Sequence, residues 1–283
     1  MSGDEPREQH DLLVLDGAFE PDQVEVNVAG GSAVACTCKD PRKESENEDT
    51  VAIIPYGSGA AVLVIADGAG GLPAGKRASL TAVTTLAASL KAAKDKTILL
   101  RTAILNGIEA ANEAVLGLAN GSATTMTVIT IEGLVARSYQ IGDSEALVVG
   151  QRGLIKLQTT AHSPTGFAVE AGFLDHREAL HHEERHLVSN FLGTSDMRID
   201  VGAGIELQPR DTVLLASDGL TDNVHLDEII DHVRTGRLQE SARSVVELAA
   251  YRMEARQPGQ PSKPDDLSLI LFRKPDRARI IGG

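Results

Sequence analysis

Tryptophan is absent from this 283-residue chain, and three Tyr and five Phe bring the aromatic share to only 3%. Single-stranded nucleic acid is usually gripped by exposed rings on which bases stack, so this composition argues against such a platform. Positive charge is also in deficit. Lys and Arg number 27 against 40 Asp and Glu, a formal net charge of −13, which repels phosphate backbones and anionic membrane surfaces. No apolar run approaches the roughly 18 residues that would span a bilayer, and no basic and apolar leader opens the sequence. The expectation is a cytoplasmic protein with neither a nucleic-acid nor a membrane partner. Only two cysteines occur, Cys36 and Cys38. A disulfide across so short a loop is strained, and two thiols do not make a zinc site, so a reduced pair is expected.

What the chain does have is 42% hydrophobic residues, mostly Ala, Val, Leu and Ile, enough for one large domain. The first twenty or so residues are polar and acidic around one apolar island, Leu12 to Leu15. They read as an extension (residues 1–23) that orders on contact, ahead of one domain over residues 24–283. Strand-like segments follow at Val24 to Val28, Ala33 to Thr37 and Val51 to Ile54. Gly75 to Lys94 and Thr97 to Leu118 carry apolar residues at helical spacing, for example Leu80, Val83, Leu86 and Leu90, then Ile104, Ile108, Ala111 and Val115. Further strands are expected at Thr124 to Ile131, Leu134 to Ile141, Glu145 to Val149, Leu154 to Leu157, Asp211 to Ala216 and Leu267 to Phe272. Helices are expected at Leu226 to Val233 and Gln239 to Arg256. Residues 159–193 are polar and irregular with a His-rich helical part, and read as a flap. Gln257 to Pro264, with three prolines and a glycine, reads as a loop.

The most telling stretch is Ala60 to Gly71, a buried-strand pattern ending in Asp67 and a glycine-rich turn whose glycines let the backbone approach a ligand. The construction recurs. Asp143 follows Ile141-Gly142, Asp218 follows Leu214-Leu215-Ala216-Ser217, and Asp265-Asp266 precede Leu267-Ser268-Leu269. An isolated carboxylate at a buried strand end is costly. A set of them is tolerable when they share cations, and oxygen-only donors suit Mg²⁺ or Mn²⁺. Two such ions about 3.5–4 Å apart clamp a phosphate and activate a bridging water. Taken singly, each Asp also fits a strand terminator or a helix N-cap, Asp218 before Gly219-Leu220 being a fair example.

Five short motifs stand in one order: Asn47-Glu48-Asp49, Asp67-Gly68-Ala69-Gly70-Gly71, Gly142-Asp143-Ser144, Ser217-Asp218-Gly219-Leu220 and Asp265-Asp266-Leu267-Ser268. In this order, from Val24 to Phe272, the chain resembles the PPM-type (type 2C) metal-dependent serine/threonine protein phosphatases, and bacterial members in particular. The resemblance implies an α+β fold, a four-layer α-β-β-α sandwich of two mainly antiparallel sheets flanked by helix pairs. It implies two Mn²⁺ or Mg²⁺ ions, with room for a third. By the family pattern Asp67 bridges both ions, the carbonyl of Gly68 binds the second, and Asp218 and Asp265 complete the first. Asp143 matches a ligand of the third, and Glu48 and Asp49 act in catalysis through metal-held water. The implied reaction is direct attack of a metal-bridging water on phosphoserine or phosphothreonine of a protein substrate, with no covalent intermediate.

Two departures bear on substrate. The position three before Asn47, where the family usually has a phosphate-gripping Arg, is Glu44, which leaves Arg42 or Lys43 to bind phosphate. Ala69 stands where animal relatives carry a histidine, so the general acid is unassigned. Glu44 is the feature that favours a second reading, a catalytically weak domain serving as a regulatory or phospho-binding module. A remote third, a zinc metallopeptidase, rests on His182-Glu183-Glu184-Arg185-His186, which on a helix would place two imidazoles on one face. Charged neighbours make a solvated helix face on the flap the plainer reading. Oligomeric state is not readable from the sequence.

Overall fold

The computed structural model describes residues 12–17, 22–40, 42–69, 74–119 and 121–275. In chain order the elements are β1 (Leu13–Leu15), β2 (Asp22–Val28), β3 (Gly31–Cys38), β4 (Asp49–Pro55), β5 (Ala60–Asp67), α1 (Gly75–Asp95) and α2 (Leu100–Leu116). Next come β6 (Met126–Glu132), β7 (Val135–Ile141), β8 (Glu145–Val149), β9 (Ile155–Gln158), α3 (Pro164–Glu170), α4 (His176–Ala179), β10 (Asp200–Val201) and β11 (Ile205–Glu206). The last are β12 (Thr212–Ala216), α5 (Asp218–Thr221), α6 (Leu226–Val233), α7 (Leu238–Glu254) and β13 (Leu267–Arg273).

The strands form two sheets. Sheet I runs β1-β4-β5-β6-β7-β10, with β11 also on β7, and sheet II runs β2-β3-β13-β12-β8-β9. Their pairings are antiparallel, as in β4 with β5 and β12 with β13. Side-chain alternation explains the stacking, because successive residues of a strand point to opposite faces. On β5, Val62, Val64 and Ala66 pack under α1 and α2, while Ala61, Leu63 and Ile65 face sheet II. On β13, Leu267, Leu269 and Leu271 pack under α6 and α7, while Ile270 and Phe272 face sheet I. Both of these central strands are apolar on two faces, so each must be covered twice, and four layers follow. The paucity of aromatics is met by dense aliphatic packing, each fully buried Leu or Ile stabilising by about 1.5–3 kcal/mol.

Differences from the sequence reading have local causes. The island Leu13–Leu15 is the edge strand of sheet I, paired with β4 with Leu13 and Leu15 buried. Residues 1–11 and 18–21 of the extension, and Gly70 and Gly71 of the second motif, lie outside the described residues. The buried stripe of α1 is Ala78, Ala82, Val83, Leu86 and Leu90, with Leu80 only half-buried at its margin. Cys36 and Cys38 share a β3 face against the α6–α7 layer, and burial pushes the Cys38 thiol up, away from reactivity.

The helix expected over His182–His186 does not form. The flap's second helix ends at Ala179, with Leu180 as its cap, and residues 183–186 make turns. With no apolar stripe to bury, this charged segment has nothing to hold it as a helix. Both His182 and His186 are exposed, so the geometry that a zinc peptidase reading requires is missing.

Candidate metal centre

Register brings the acids together. Asp49 opens β4 directly opposite Asp67, which closes β5, a like-charge pairing that is normally destabilising. Asp218 leaves the end of β12, and Asp265-Asp266 enter β13 beside it. Asp143 sits in the turn between β7 and β8. The acidic ends of both sheets therefore meet at one end of the sandwich.

A set of hydrogen bonds stitches the two sheets there. Ser217 Oγ of sheet II donates to Asp49 Oδ2 of sheet I at 2.9 Å, and the Asp49 N–H donates to Asn47 Oδ1 at 2.8 Å. Asp266 accepts the N–H of Glu48 at 2.8 Å and that of Asp40 at 3.0 Å. The Asp67 N–H donates to Thr125 Oγ1 at 3.0 Å. Asp218 is the first residue of α5, with Ser217 at the N-cap, so it is not the cap residue itself.

Close backbone contact explains two Asp-Gly pairs. Neither Gly68 nor Gly219 has a positive φ. A Cβ on Gly68 would overlap the carbonyl of Gly75 and lie 2.8 Å from its Cα. A Cβ on Gly219 would overlap the carbonyl oxygen of Asp266 and stand 3.0 Å from Leu267 Cα. Here glycine serves the chain's approach to itself. Gly142, with φ 93°, is the case that needs conformational freedom.

The electrostatics show what this crowding does. Asp67 lies within the field of four other carboxylates of the site: burial, and then the charges of Asp49, Asp218, Asp265 and Asp143, raise its carboxyl well above the ordinary 3.8. Burial and then Asp266 push Asp49 up to about 8. Burial and then Asp218 push Asp143 to about 8 and Asp265 to about 7. Buried Asp49 Oδ1 and Asp218 Oδ1 have no hydrogen-bond partner among the described residues.

A donor set of orphaned carboxylate oxygens and backbone carbonyls fits hard divalent cations. As the side chains stand, no three His, Cys, Asp or Glu among the described residues are arranged to hold one ion. Two lysines account for part of this, each drawing carboxylates to itself. Lys43 Nζ lies 2.6 Å from Glu48 Oε2 and 2.7 Å from Asp266 Oδ2. Lys263 Nζ contacts Asp218 Oδ2 and lies 2.7 Å from Asp222 Oδ2. Burial alone would lower the pKa of Lys263, but the charges of Asp218 and Asp222 raise it instead.

Of the two cations expected to take phosphate, Lys43 is thus turned inward onto carboxylates. Arg42 is half-exposed and only loosely held, 3.5 Å from Asp40 Oδ1. Glu44 is exposed and takes no part in the lysine–carboxylate contacts. The sequence reading missed Asp222 and Lys263. Asp222, four residues after Asp218, was within reach of helical spacing, whereas Lys263 lay in a loop with no periodicity to follow.

The flap closes over this end. His162, buried, accepts the Gly142 N–H on Nδ1 at 3.2 Å, and its Nε2 lies 3.0 Å from Asp200 Oδ2. Beneath the flap a cavity of about 300 Å³ runs from Asp143 and Asp218 to Arg185 and Leu226.

A pH dependence follows. Where a carboxyl pKa is raised on folding, the folded state holds protons that the unfolded state has released, so stability falls as pH climbs between the two values. For Asp49 and Asp143 that window runs from 3.8 to about 8. In chelator the melting temperature is expected to drop between about pH 5 and pH 8, and added Mn²⁺ is expected to flatten or reverse that slope. Identical slopes with and without Mn²⁺ would show that these carboxylates share no cation.

The sequence model of the protein phosphatase 2C family matches residues 40–255. A protein phosphatase 2C-type protein of Streptococcus pyogenes is 29% identical over 219 residues, 75% of this chain and 88% of its own. The PPM Ser-Thr phosphatase MsPP of Mycobacterium smegmatis, solved in complex with cacodylate, is similar at TM-score 0.70 and 29% identity, over 85% of this chain and 97% of its own. The catalytic domain of the serine/threonine protein phosphatase PstP, solved with two manganese ions, gives TM-score 0.66 at 25% identity over 86% and 98%. Fold, motif order and family match agree: the chain belongs to the protein phosphatase 2C family of serine/threonine protein phosphatases.

Proposed function

We propose that this protein hydrolyses phosphoserine and phosphothreonine in phosphoproteins at a centre for two Mn²⁺ or Mg²⁺ ions. Asp67, the Gly68 carbonyl, Asp218 and Asp265 are the ligands in this reading, with Asp143 at the margin of the centre. The observation that carries it is the position of Asp67, whose carboxyl feels Asp49, Asp143, Asp218 and Asp265 together. When bound, such ions supply Lewis acidity toward phosphoryl oxygens and a water of lowered pKa.

The chain's own residues do the rest. Asp49 is fixed through Oδ2 by Ser217 and keeps a buried, unpartnered Oδ1; it accepts the proton of the attacking water there. Glu48 is oriented by Lys43 at 2.6 Å and orders water at the mouth. Arg42, with its exposed guanidinium, receives the substrate phosphate on two parallel N–H groups. The flap walls one side of the cavity beside these carboxylates. We read residues from about 24 onward as one catalytic domain, to whose first sheet the preceding extension adds β1, and the protein as cytoplasmic; among the described residues no helix is long and apolar enough to cross a membrane.

The test uses chelator-treated protein with p-nitrophenyl phosphate, a phosphothreonine peptide and a phosphotyrosine peptide. Mn²⁺ or Mg²⁺ is expected to restore turnover of the first two, with the phosphothreonine peptide preferred over the phosphotyrosine peptide. Turnover that persists in chelator, or returns only with Zn²⁺, would refute the assignment.

A further inference from the structure

Lys263 is an unusual neighbour for a cation centre, and its placement is built in. Its backbone is clamped by the buried side-chain amide of Asn223. The Lys263 N–H donates to Asn223 Oδ1 at 2.7 Å, and its carbonyl accepts from Asn223 Nδ2 at 2.7 Å. Asn223 is itself fixed, since Nδ2 also donates to the Gly219 carbonyl at 2.9 Å and its own carbonyl accepts from the buried Arg252 at 3.1 Å. Next to it, the Ser262 carbonyl accepts from Arg185 of the flap at 3.1 Å. Pro261 and Pro264 flank the pair and restrict the chain further. A stem anchored this firmly delivers its ammonium to one place.

That place is among carboxylates. Nζ touches Asp218 Oδ2, lies 2.7 Å from Asp222 Oδ2 and 3.9 Å from Asp265 Oδ2, and its charge reaches Asp143. A diffusing divalent ion at this spot would need the same oxygens of Asp218 and Asp222. It would compete with a cation that is tethered, always present and independent of metal concentration. We propose that Lys263 is a tethered counter-cation that occupies the Asp143–Asp218–Asp222 side of the centre and thereby sets how many divalent ions the centre accepts. The inference rests on the metal-centre reading above. It goes beyond it by assigning this flank to the protein's own charge, so that the wild-type centre takes one ion fewer than its carboxylates could hold.

The experiment counts Mn²⁺ per chain by equilibrium dialysis for the wild type, Lys263→Gln and Lys263→Arg, each folded in Mn²⁺ and checked by circular dichroism. Lys263→Gln is expected to bind one Mn²⁺ more than the wild type, and Lys263→Arg the wild-type number. A wild-type count in Lys263→Gln, or the higher count in Lys263→Arg, overturns the proposal. A wild type that binds no Mn²⁺ overturns the metal-centre reading along with it, so the two failures are told apart.

Lys263→Gln leaves carboxylates unneutralised, so its fold can depend on metal. The melting temperature gained on adding Mn²⁺ is therefore measured as well, and a larger gain in the variant than in the wild type is expected. Equal gains count against the proposal. The double variant Asp222→Asn/Lys263→Gln, relieved of that repulsion, is expected to return to the wild-type count because a ligand of the additional ion has gone. The higher count in the double variant would show that Asp222 is not part of this flank.

Discussion

Asp67→Asn is expected to lower kcat/KM for a phosphothreonine peptide by at least about a thousandfold at saturating Mn²⁺. The same substitution is expected to raise the melting temperature in chelator. Both effects come from one charge. Asn has the shape of Asp, and the backbone bonds of this residue, N–H to Thr125 Oγ1 and carbonyl to the Thr125 N–H at 2.8 Å, do not involve the side chain. The fold at the end of β5 is therefore retained. What disappears is the carboxylate that Asp49, Asp143, Asp218 and Asp265 all repel. Without metal its loss is a relief, and with metal it removes the ligand that the proposed centre has in common. Steady-state kinetics and thermal melts on one preparation separate the two. Activity within tenfold of the wild type, or a lower melting temperature in chelator, would remove Asp67 from the centre of the mechanism.

Gly219→Ala is expected to be the most damaging small substitution near the site. Its Cβ would collide with the Asp266 carbonyl oxygen and sit 2.8 Å from Asp266 C and 3.0 Å from Leu267 Cα, all of them backbone atoms. Backbone cannot rotate away as a side-chain tip can, so α5 must lift off the start of β13 and take Asp218 with it. A loss of about 3 kcal/mol or more is expected, or about 6–12 °C in melting temperature for a chain of this size. Gly59→Ala is the control, since a Cβ there meets nothing within 4 Å. Indistinguishable melts for the two variants would mean that the Asp218-Gly219 contact is slack and that its glycine has another purpose.

Where the sequence carried a periodic signal, the architecture was legible in it. The near-continuous apolar runs of β5 and β13 encode strands buried on two faces, and the helical stripe of α1 and α2 encodes a layer to cover one of them. The carboxylates were legible for an electrostatic reason: an Asp ending an apolar strand is conspicuous because it is expensive. The partners of those carboxylates were not legible. Lys43 and Lys263 approach from loops, where neither spacing nor hydropathy predicts direction, and their contacts cross 223 residues to Asp266 and 45 to Asp218. Gly68 and Gly219 were conspicuous as residues, yet their reason lay in backbone elsewhere in the chain, at Gly75 and Asp266. The His-Glu-x-x-His spacing misled in the opposite direction, because a pattern of polar residues has helical meaning only where packing enforces a helix.

The strand order of sheet II also constrains how the protein comes into being. Its interior strand β13 is the last strand among the described residues and lies between β3, near the beginning, and β12. On a ribosome, β2 and β3 must wait, with one edge unpaired, until residues 267–273 have emerged. Pairings of such long sequence separation are slow to close, and an unpaired edge invites association with other chains meanwhile. Asp265 arrives with the same strand, so a nascent chain lacks one carboxylate of the acidic cluster until that strand has emerged.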